Sequence, residues 1–259
     1  MLSKNQIKHI RSLHQKKFRN ELGLFIAEGP KLTEELLQSG YRVKEVYLLA
    51  DALPDFQKNY ATNKPEYFEV SRKDLERIST LKTPNDVLAV VEIPAIKPDY
   101  SKIFEQAILI LNDIQDPGNL GTIIRSADWF GIKTILCSKN TVEVFNPKVV
   151  QATMGSICRV DVFYLDLALF FERVPTSYPV YGTLLEGQSI YQFDFEKACA
   201  IIIGNESRGI SWEIQNFVKE KIKILPYQRD DKETAESLNA AVAASLVMAE
   251  YRRQQSKKT

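Results

Sequence analysis

The sequence predicts an α/β protein of two domains, and three of its patterns lead to this prediction. Short helical and strand patterns alternate through residues 1–95, three prolines cluster at residues 82–99, and short apolar strands alternate with loops and helices after Lys102. Proline cannot donate to a strand ladder and stiffens its neighbours, so residues 92–101 are expected to form a linker. We therefore expect a small α/β domain at residues 1–95 and a domain with a parallel, helix-covered sheet at residues 102–259.

The first domain is expected to begin with a short basic helix. Ser3 followed by Gln6 is a capping-box pattern, and apolar residues then recur near helical spacing. Pro30 suits the first turn of a second helix, which should stop at Gly40. The remaining elements predicted for this domain are strands at 43–49, 67–70 and 86–93 and a helix capped by Ser71 and Asp74.

The second domain is expected to hold its ligand at the carboxyl ends of its strands. Three loops that follow predicted strands are rich in glycine, and ligands of open α/β sheets bind where the backbone can approach closely. The strands predicted are 107–112, 134–137, 161–164, 180–182, 199–203 and 221–225.

Composition limits the class of protein. The 259 residues are 44% hydrophobic and 26% charged, which is typical of a globular chain and excludes disorder. No apolar run approaches the ~20 residues that span a bilayer, and residues 1–20 lack the apolar segment of a secretion signal. The three cysteines are widely spaced and the two histidines lie in the basic first helix, so neither a disulfide framework nor a metal site is expected. We expect a cytoplasmic protein.

Positive charge is concentrated at the ends of the chain. The net charge is only +1, yet six basic residues precede the first acidic residue, Glu21. Such a cluster can bind a polyanion such as RNA. Solvated helix faces would give the same pattern, and charge alone leaves both interpretations open. The six residues are Lys4, Lys8, Arg11, Lys16, Lys17 and Arg19.

Residues 113–121 form a loop before a helix predicted over 122–130. The loop contains neither the dinucleotide fingerprint nor the P-loop pattern. The apolar stripe of the helix places Arg125 on the outward face. An outward arginine can serve a site, or it can simply pair with Asp128 three residues later.

Two further segments carry polar residues next to apolar elements. Residues 204–209, Gly-Asn-Glu-Ser-Arg-Gly, leave the most apolar strand, and residues 237–239, Ser-Leu-Asn, open an alanine-rich helix. Taken singly, the first could be an ordinary strand-to-helix turn and the second the start of a buried helix.

Together these segments resemble the three motifs of the SpoU-type family of RNA 2′-O-ribose methyltransferases, within the SPOUT class. Residues 112–131 are similar to the first motif, 203–209 to the second and 237–243 to the third, in the family's order. Residues 145–156 resemble the segment between the first two motifs, with Thr153 where serine is usual. Residues 7–90 resemble the substrate-binding domain with an L30e-like fold that is often fused in front.

The resemblance implies a deep trefoil knot in the parallel sheet, a rare exception to the rule against knots. It implies that the knot binds S-adenosylmethionine, and that the enzyme is a homodimer joined through the last, alanine-rich helix. The RNA would be ribosomal or transfer RNA, and no metal is needed. Residues 227–236 are longer and more polar than is usual in the family. The residues implied for the cofactor are Gly204, Leu225 and Leu238 through their backbone, with Thr183 and Gly187 in the adjacent loop.

Arg125 matches the catalytic arginine of the family. A guanidinium stays protonated in proteins, so a role as a simple base is disfavoured. We expect it to hydrogen-bond the ribose hydroxyl and a neighbouring phosphate and to stabilise the developing alkoxide. The other catalytic-site residues implied, which would orient Arg125 and the loops, are Asn119, Glu206, Ser237 and Asn239.

Two other functions are consistent with parts of the sequence. One is a non-catalytic RNA-binding protein with a decayed methyltransferase domain, and binding of S-adenosylmethionine would separate it from the enzyme. The other is a nucleotide-dependent oxidoreductase, which the missing dinucleotide fingerprint disfavours and which binding of NAD would reveal.

Overall fold

The computed structural model describes residues 2–56, 64–226 and 237–257. They form two compact units: the first unit contains Met1–Ile96 and Glu143–Cys158, and the second unit contains Lys97–Val142 and Arg159–Thr259. The polar stretch 227–236 lies outside the described residues. In the described part of the chain, no helix has the length and apolar character to cross a bilayer.

The first unit starts with two short helices, Lys4–Ser12 and Lys16–Leu22, which divide the basic cluster that the sequence predicts for one helix. Ser3 Oγ accepts a hydrogen bond from the Gln6 backbone, and Gln6 Oε1 accepts one from the Ser3 backbone, so the predicted capping box is confirmed. The elements up to residue 96 are α1 Lys4–Ser12, α2 Lys16–Leu22, β1 Leu24–Glu28, α3 Pro30–Gln38, β2 Val43–Leu48, α4 Leu53–Phe56, β3 Glu66–Glu69, α5 Arg72–Ile78 and β4 Val87–Glu92.

Strand β1 is an element that the sequence analysis did not assign. It follows α2 after a single residue, Gly23, whose left-handed backbone ends that helix. All five of its residues are buried, so it lacks the alternating apolar and polar residues by which a half-exposed strand is predicted. It lies at the edge of a four-stranded sheet in the order β1-β4-β2-β3, antiparallel to β4.

The chain from residue 97 contains the six strands of a second sheet. All neighbouring pairs in this sheet are parallel, in the order β10-β8-β9-β5-β6-β7, which confirms the predicted parallel sheet. The elements are α6 Tyr100–Ile103, β5 Ile108–Asn112, α7 Pro117–Trp129, β6 Thr134–Cys137, α8 Pro147–Thr153, β7 Asp161–Tyr164, α9 Leu167–Phe171, β8 Val180–Ser189, β9 Ala200–Gly204, α10 Trp212–Gln215, β10 Glu220–Lys223 and α11 Ala240–Gln255.

The centre of this sheet is its most apolar part. Strand β5 is buried throughout, and β9 is buried except at its last residue. The order of strands changes direction at this pair, because β6 follows β5 on one side while β9 lies on the other. Such a switch point opens a crevice at the carboxyl ends of the strands.

Residues 143–158 depart from the predicted domain limits, because they pack in the first unit. Helix α8 contacts β1, and the Phe145 ring lies 4.8 Å from the Phe25 ring between centroids. Arg19 also forms an ion pair with Glu143. The aromatic and ionic partners of this segment are thus more than a hundred residues away in sequence, which local patterns cannot show. The linker at 92–101 stays a prediction.

Candidate active site

The candidate site begins where β5 and β9 end side by side. Asn112, the last residue of β5, is paired with Gly204, the last residue of β9. The loops that continue from these two strands are therefore neighbours, as the sequence analysis expected for the first two motifs. An added Cβ at Gly204 would overlap the backbone of Gly209, so only glycine permits this close approach.

Helix α7 starts five residues earlier than predicted. Asp116 caps it, with Oδ1 accepting a hydrogen bond from the Asn119 backbone at 2.8 Å, and Pro117 occupies the first turn. The Asp-Pro pair is a helix-start signal that could have given the boundary from the sequence. As a result Asn119 lies in the first turn of a helix and not in a loop, which fixes the direction of its side chain.

Arg125 lies on the exposed side of α7, as predicted. The buried face of the helix is formed by Leu120, Gly121, Ile123, Ile124 and Ala127. Asp128 bonds to Arg159, with 2.9 Å between Oδ2 and Nε, so the alternative pair between Arg125 and Asp128 is not formed. The Arg125 guanidinium forms no hydrogen bond or ion pair with any residue that the structure describes.

Side chains from all three motifs meet through hydrogen bonds. Asn119 Nδ2 donates to Glu206 Oε1. Asn239 Nδ2 donates to Asn119 Oδ1 at 2.8 Å, and Ser237 Oγ donates to the Glu206 carbonyl at 3.2 Å. We call this set of four residues the motif network. It joins the start of α7, the loop after β9 and the start of α11.

Each member of the motif network is held by its own element. Asn239 caps α11, because its Oδ1 accepts hydrogen bonds from the backbones of Ala241 and Val242. Glu206 sits in a loop closed by two backbone hydrogen bonds between Asn205 and Gly209. Amide groups on rigid supports keep their donors and acceptors in one arrangement, which an active site needs.

Two of the residues expected to hold the cofactor, Thr183 and Gly187, lie within β8 and not in a loop, because this strand runs to Ser189 instead of ending at residue 182. Thr183 Oγ1 donates to the carbonyl of Ile202 in β9 at 2.8 Å. Gly187 has a φ of 145°, and a Cβ there would overlap the backbone of Lys221. Leu225 and Leu238 are 51% and 45% exposed. Closely packed backbone and exposed apolar side chains suit a nucleoside ligand, and these assignments stay predictions.

Five of the six basic residues predicted to bind RNA are exposed in the first unit: Lys4, Lys8, Arg11, Lys16 and Lys17. Arg19, the sixth residue, does not fit the prediction that it binds RNA. Only 2% of it is exposed, its Nη2 lies 2.7 Å from Glu143 Oε2, and its Nη1 donates to the Leu13 carbonyl. A guanidinium that is buried and paired is not available to phosphates.

Other reactive side chains do not form a second site. Across the described residues no group of three or more His, Cys, Asp or Glu side chains is placed to hold a metal ion. Cys137 and Cys199 are buried. Burial raises the pKa of the Cys199 thiol to about 12, so it stays protonated and is not a nucleophile.

Comparisons with known proteins agree with this geometry. Residues 106–249 match the SpoU rRNA Methylase family, and residues 4–89 match an MRM3-like substrate binding domain. The chain is 30% identical over 251 residues to the 23S rRNA (guanosine(2553)-2′-O)-methyltransferase RlmP of Bacillus subtilis, which covers 95% of this chain and 96% of the relative.

Solved structures resemble the whole chain as well. A TrmH-family protein from Porphyromonas gingivalis has a TM-score of 0.85 and 38% identity, covering 98% of this chain and 99% of the other. An AdoMet-bound rRNA methyltransferase from Sinorhizobium meliloti has a TM-score of 0.81 and 29% identity, covering 98% and 96%.

Proposed function

The chain belongs to the SpoU rRNA methylase family, and from that premise we propose how it transfers a methyl group from S-adenosylmethionine to a ribose 2′-hydroxyl of RNA. The observation that carries the proposal is the motif network, because it ties Asn119, Glu206 and Asn239 into one hydrogen-bonded unit at the switch point of the sheet. Methyl transfer requires the acceptor oxygen, the methyl carbon and the sulfur to lie in line, and such positioning supplies much of the rate.

Arg125 is the group proposed to meet the acceptor ribose. It lies six residues after Asn119 on α7 and faces outward, with its donors uncommitted to described residues. The guanidinium can donate to the 2′-oxygen and to a neighbouring phosphate together, because its donors form a planar fork. As the hydroxyl loses its proton, this contact stabilises the negative charge on oxygen, and the phosphate accepts the proton.

The cofactor is proposed to lie against Gly204, Leu225 and Leu238, with Thr183 and Gly187 of β8 beside it. When bound, S-adenosylmethionine supplies an electrophilic methyl group on a sulfonium sulfur. The two glycines let backbone segments approach closely where a side chain would collide, and the leucines offer apolar surface to the adenosine. The trefoil knot expected around this site stays a prediction.

A second copy of the chain is the partner proposed for the exposed face of α7 and α11. These helices pack together, and Ser126 Oγ lies 2.9 Å from Ser245 Oγ between them. Trp129 on α7 is 84% exposed and Val242 on α11 is 49% exposed. Exposed large apolar side chains are typical of an oligomer interface. Light scattering on the full chain should report a dimer, and Val242→Arg should weaken it.

RNA is the substrate, and ribosomal RNA is the class we propose because the RlmP relative is named for it. The exposed cations of α1 and α2 are proposed to contact its phosphates. A cytoplasmic location stays a prediction that fits this substrate.

The proposed function is tested by incubating the protein and methyl-labelled S-adenosylmethionine with ribosomal RNA and, separately, with transfer RNA. We expect label in RNA, and digestion to nucleosides should place it on a ribose 2′-oxygen. Label on a base, or binding of NAD without binding of S-adenosylmethionine, would contradict the proposal. Binding of both RNA and cofactor without transfer under single-turnover conditions would favour the non-catalytic alternative.

A further inference from the structure

We propose that Asn112 and Asp113 form a clamp that holds both ends of the loop at residues 204–211 and thereby positions Glu206. Both residues open the segment 112–131 that resembles the first motif, but that resemblance assigns no role to either of them. The proposal rests on the proposed function, because it explains how the motif network keeps its geometry.

The first end of the loop is held by the backbone of Asp113. The Asp113 carbonyl accepts a hydrogen bond from Asn205 Nδ2 at 3.0 Å. The other side-chain atom of Asn205, Oδ1, accepts from the backbones of Ser207 and Arg208 at 3.0 and 3.1 Å. Asn205 is thus fixed from both sides, and Glu206 follows it directly.

The second end of the loop is held by the side chain of Asn112. Its Oδ1 accepts a hydrogen bond from the Ser211 backbone at 2.7 Å, and only 4% of Asn112 is exposed. Ser211 precedes α10, so this bond fixes the point at which the loop becomes helical. A buried acceptor with a single geometry makes a more rigid anchor than an exposed one.

The clamp itself is anchored through the Asp113 carboxylate. Asp113 has a φ of 62°, which a residue with a side chain rarely adopts and which persists only where the surroundings hold it. The holding contacts come from Ser138 after β6: its Oγ accepts from the Asp113 backbone at 2.9 Å and donates to Asp113 Oδ1 at 2.7 Å. Arg208 lies 3.9 Å from the other carboxylate oxygen.

The consequence is a chain of contacts from β6 to the motif network. Ser138 fixes Asp113, Asp113 fixes Asn205, and the loop then presents Glu206 to Asn119. In the described structure, no hydrogen bond or ion pair joins Asn112 or Asp113 to the four network side chains. They are positioning residues, and their substitution should loosen the loop without removing a reacting group.

The experiment separates the carboxylate of Asp113 from its backbone conformation. Asp113→Gly keeps the left-handed backbone accessible but loses the anchor, whereas Asp113→Asn keeps an oxygen for Ser138 and tolerates the same backbone. Ser138→Ala removes the hydroxyl that holds the Asp113 carboxylate. Asn112→Ala removes the acceptor for the Ser211 backbone at the second end of the loop. Lys139→Ala is the matched control, because Lys139 is adjacent to Ser138 but pairs with Asp166 at the surface.

Amide hydrogen exchange of residues 205–211 is the readout that needs no activity, with β9 amides as the internal reference. Exchange should be about tenfold faster in Asp113→Gly, Ser138→Ala and Asn112→Ala, the effect of losing about one hydrogen bond. Asp113→Asn and Lys139→Ala should match the wild type. Single-turnover methyl transfer should fall about tenfold in the same three variants and recover in Asp113→Asn.

Wild-type exchange and transfer in Asp113→Gly would overturn the clamp, since position 113 would then need only its backbone conformation. Faster exchange of the β9 amides as well would also overturn it, because the residues would be stabilising the sheet and not the loop. If the wild type transfers no methyl group, the proposed function fails, and the exchange experiment still decides the clamp.

Discussion

The two sets of residues proposed for function are held in opposite ways. In the second unit, Asn119 is hydrogen-bonded to both Glu206 and Asn239, and each of these two asparagines lies at the capped start of a helix. In the first unit, Lys4 and Lys8 are exposed, and their ammonium groups form no hydrogen bond or ion pair with the residues that the structure describes. Substitutions in the bonded set should have coupled effects on methyl transfer. Substitutions in the exposed set should have additive effects on RNA affinity.

The difference follows from the two physical tasks. Methyl transfer depends on distances and angles at the reacting atoms, so the groups around it must be rigid. Attraction of a polyanion acts over several ångströms of solvent and falls with salt, so flexible lysine side chains are sufficient. Arg125 combines both, since its position is set by a rigid helix while its guanidinium is left exposed.

The largest effect is expected at Arg125. Arg125→Ala should lower single-turnover methyl transfer by about a hundred- to thousandfold, because one donor to a developing oxyanion is lost. The affinity for S-adenosylmethionine should stay close to that of the wild type, since the proposed cofactor residues are Gly204, Leu225 and Leu238. Rapid-quench transfer and calorimetric titration measure the two quantities.

Arg125→Lys is the control for charge and should recover little, because an ammonium lacks the planar fork. If Arg125→Ala kept more than about a tenth of wild-type turnover, the arginine would not contact the reacting oxygen.

Arg19 is a basic residue of the first unit that is buried and paired, so it should affect stability and not RNA binding. Arg19→Ala should lower the free energy of unfolding by about 3 kcal/mol, since Glu143 would keep a largely buried, unpaired charge. The salt dependence of RNA binding should not change. Urea unfolding gives the first quantity, with Lys102→Ala as control, because the Lys102–Asp99 pair is exposed and should contribute nothing measurable.

An unchanged unfolding midpoint in Arg19→Ala together with a lower salt dependence would return Arg19 to the RNA-binding set.

The motif network should show strong coupling between its members. Asn119→Ala and Glu206→Ala should each slow transfer, and the double variant should be little worse than either one, with a coupling of about 1–3 kcal/mol. The reason is that either change breaks the same hydrogen bond. A double-mutant cycle on single-turnover rates measures this coupling, and additive losses would show that the two residues act separately.

The smallest effects are expected for the exposed cations of the first unit. Lys4→Ala, Lys8→Ala and Arg11→Ala should each lower the slope of log affinity against log salt by about 0.7 to 0.9, and their combination should be additive. Turnover at saturating RNA should stay unchanged. Lys102→Ala, a cation of the second unit, serves as the matched control, and a slope that none of the three changes would make the cluster a solvated helix face.

Much of the second unit follows from local sequence patterns. Strand positions 134–137 and 161–164 agree between prediction and structure, and the outward position of Arg125 follows from the apolar stripe of its helix. The motif residues that meet in the structure were also identified, but only through their resemblance to a family. Nothing in the local pattern states that Asn119 and Asn239 are bonded across 120 positions.

Local sequence patterns predict the α/β class, the parallel sheet and the capped first helix, and the resemblance predicts the residues that carry the motifs. Tertiary contacts alone show that Arg19 is buried against Glu143, that residues 143–158 pack in the first unit, and that the Asp113 carbonyl accepts a hydrogen bond from Asn205. Periodicity and capping depend on neighbours within a few residues, so a short stretch of sequence is enough to predict them. Burial and pairing between distant segments depend on the order of the strands, which no local pattern contains.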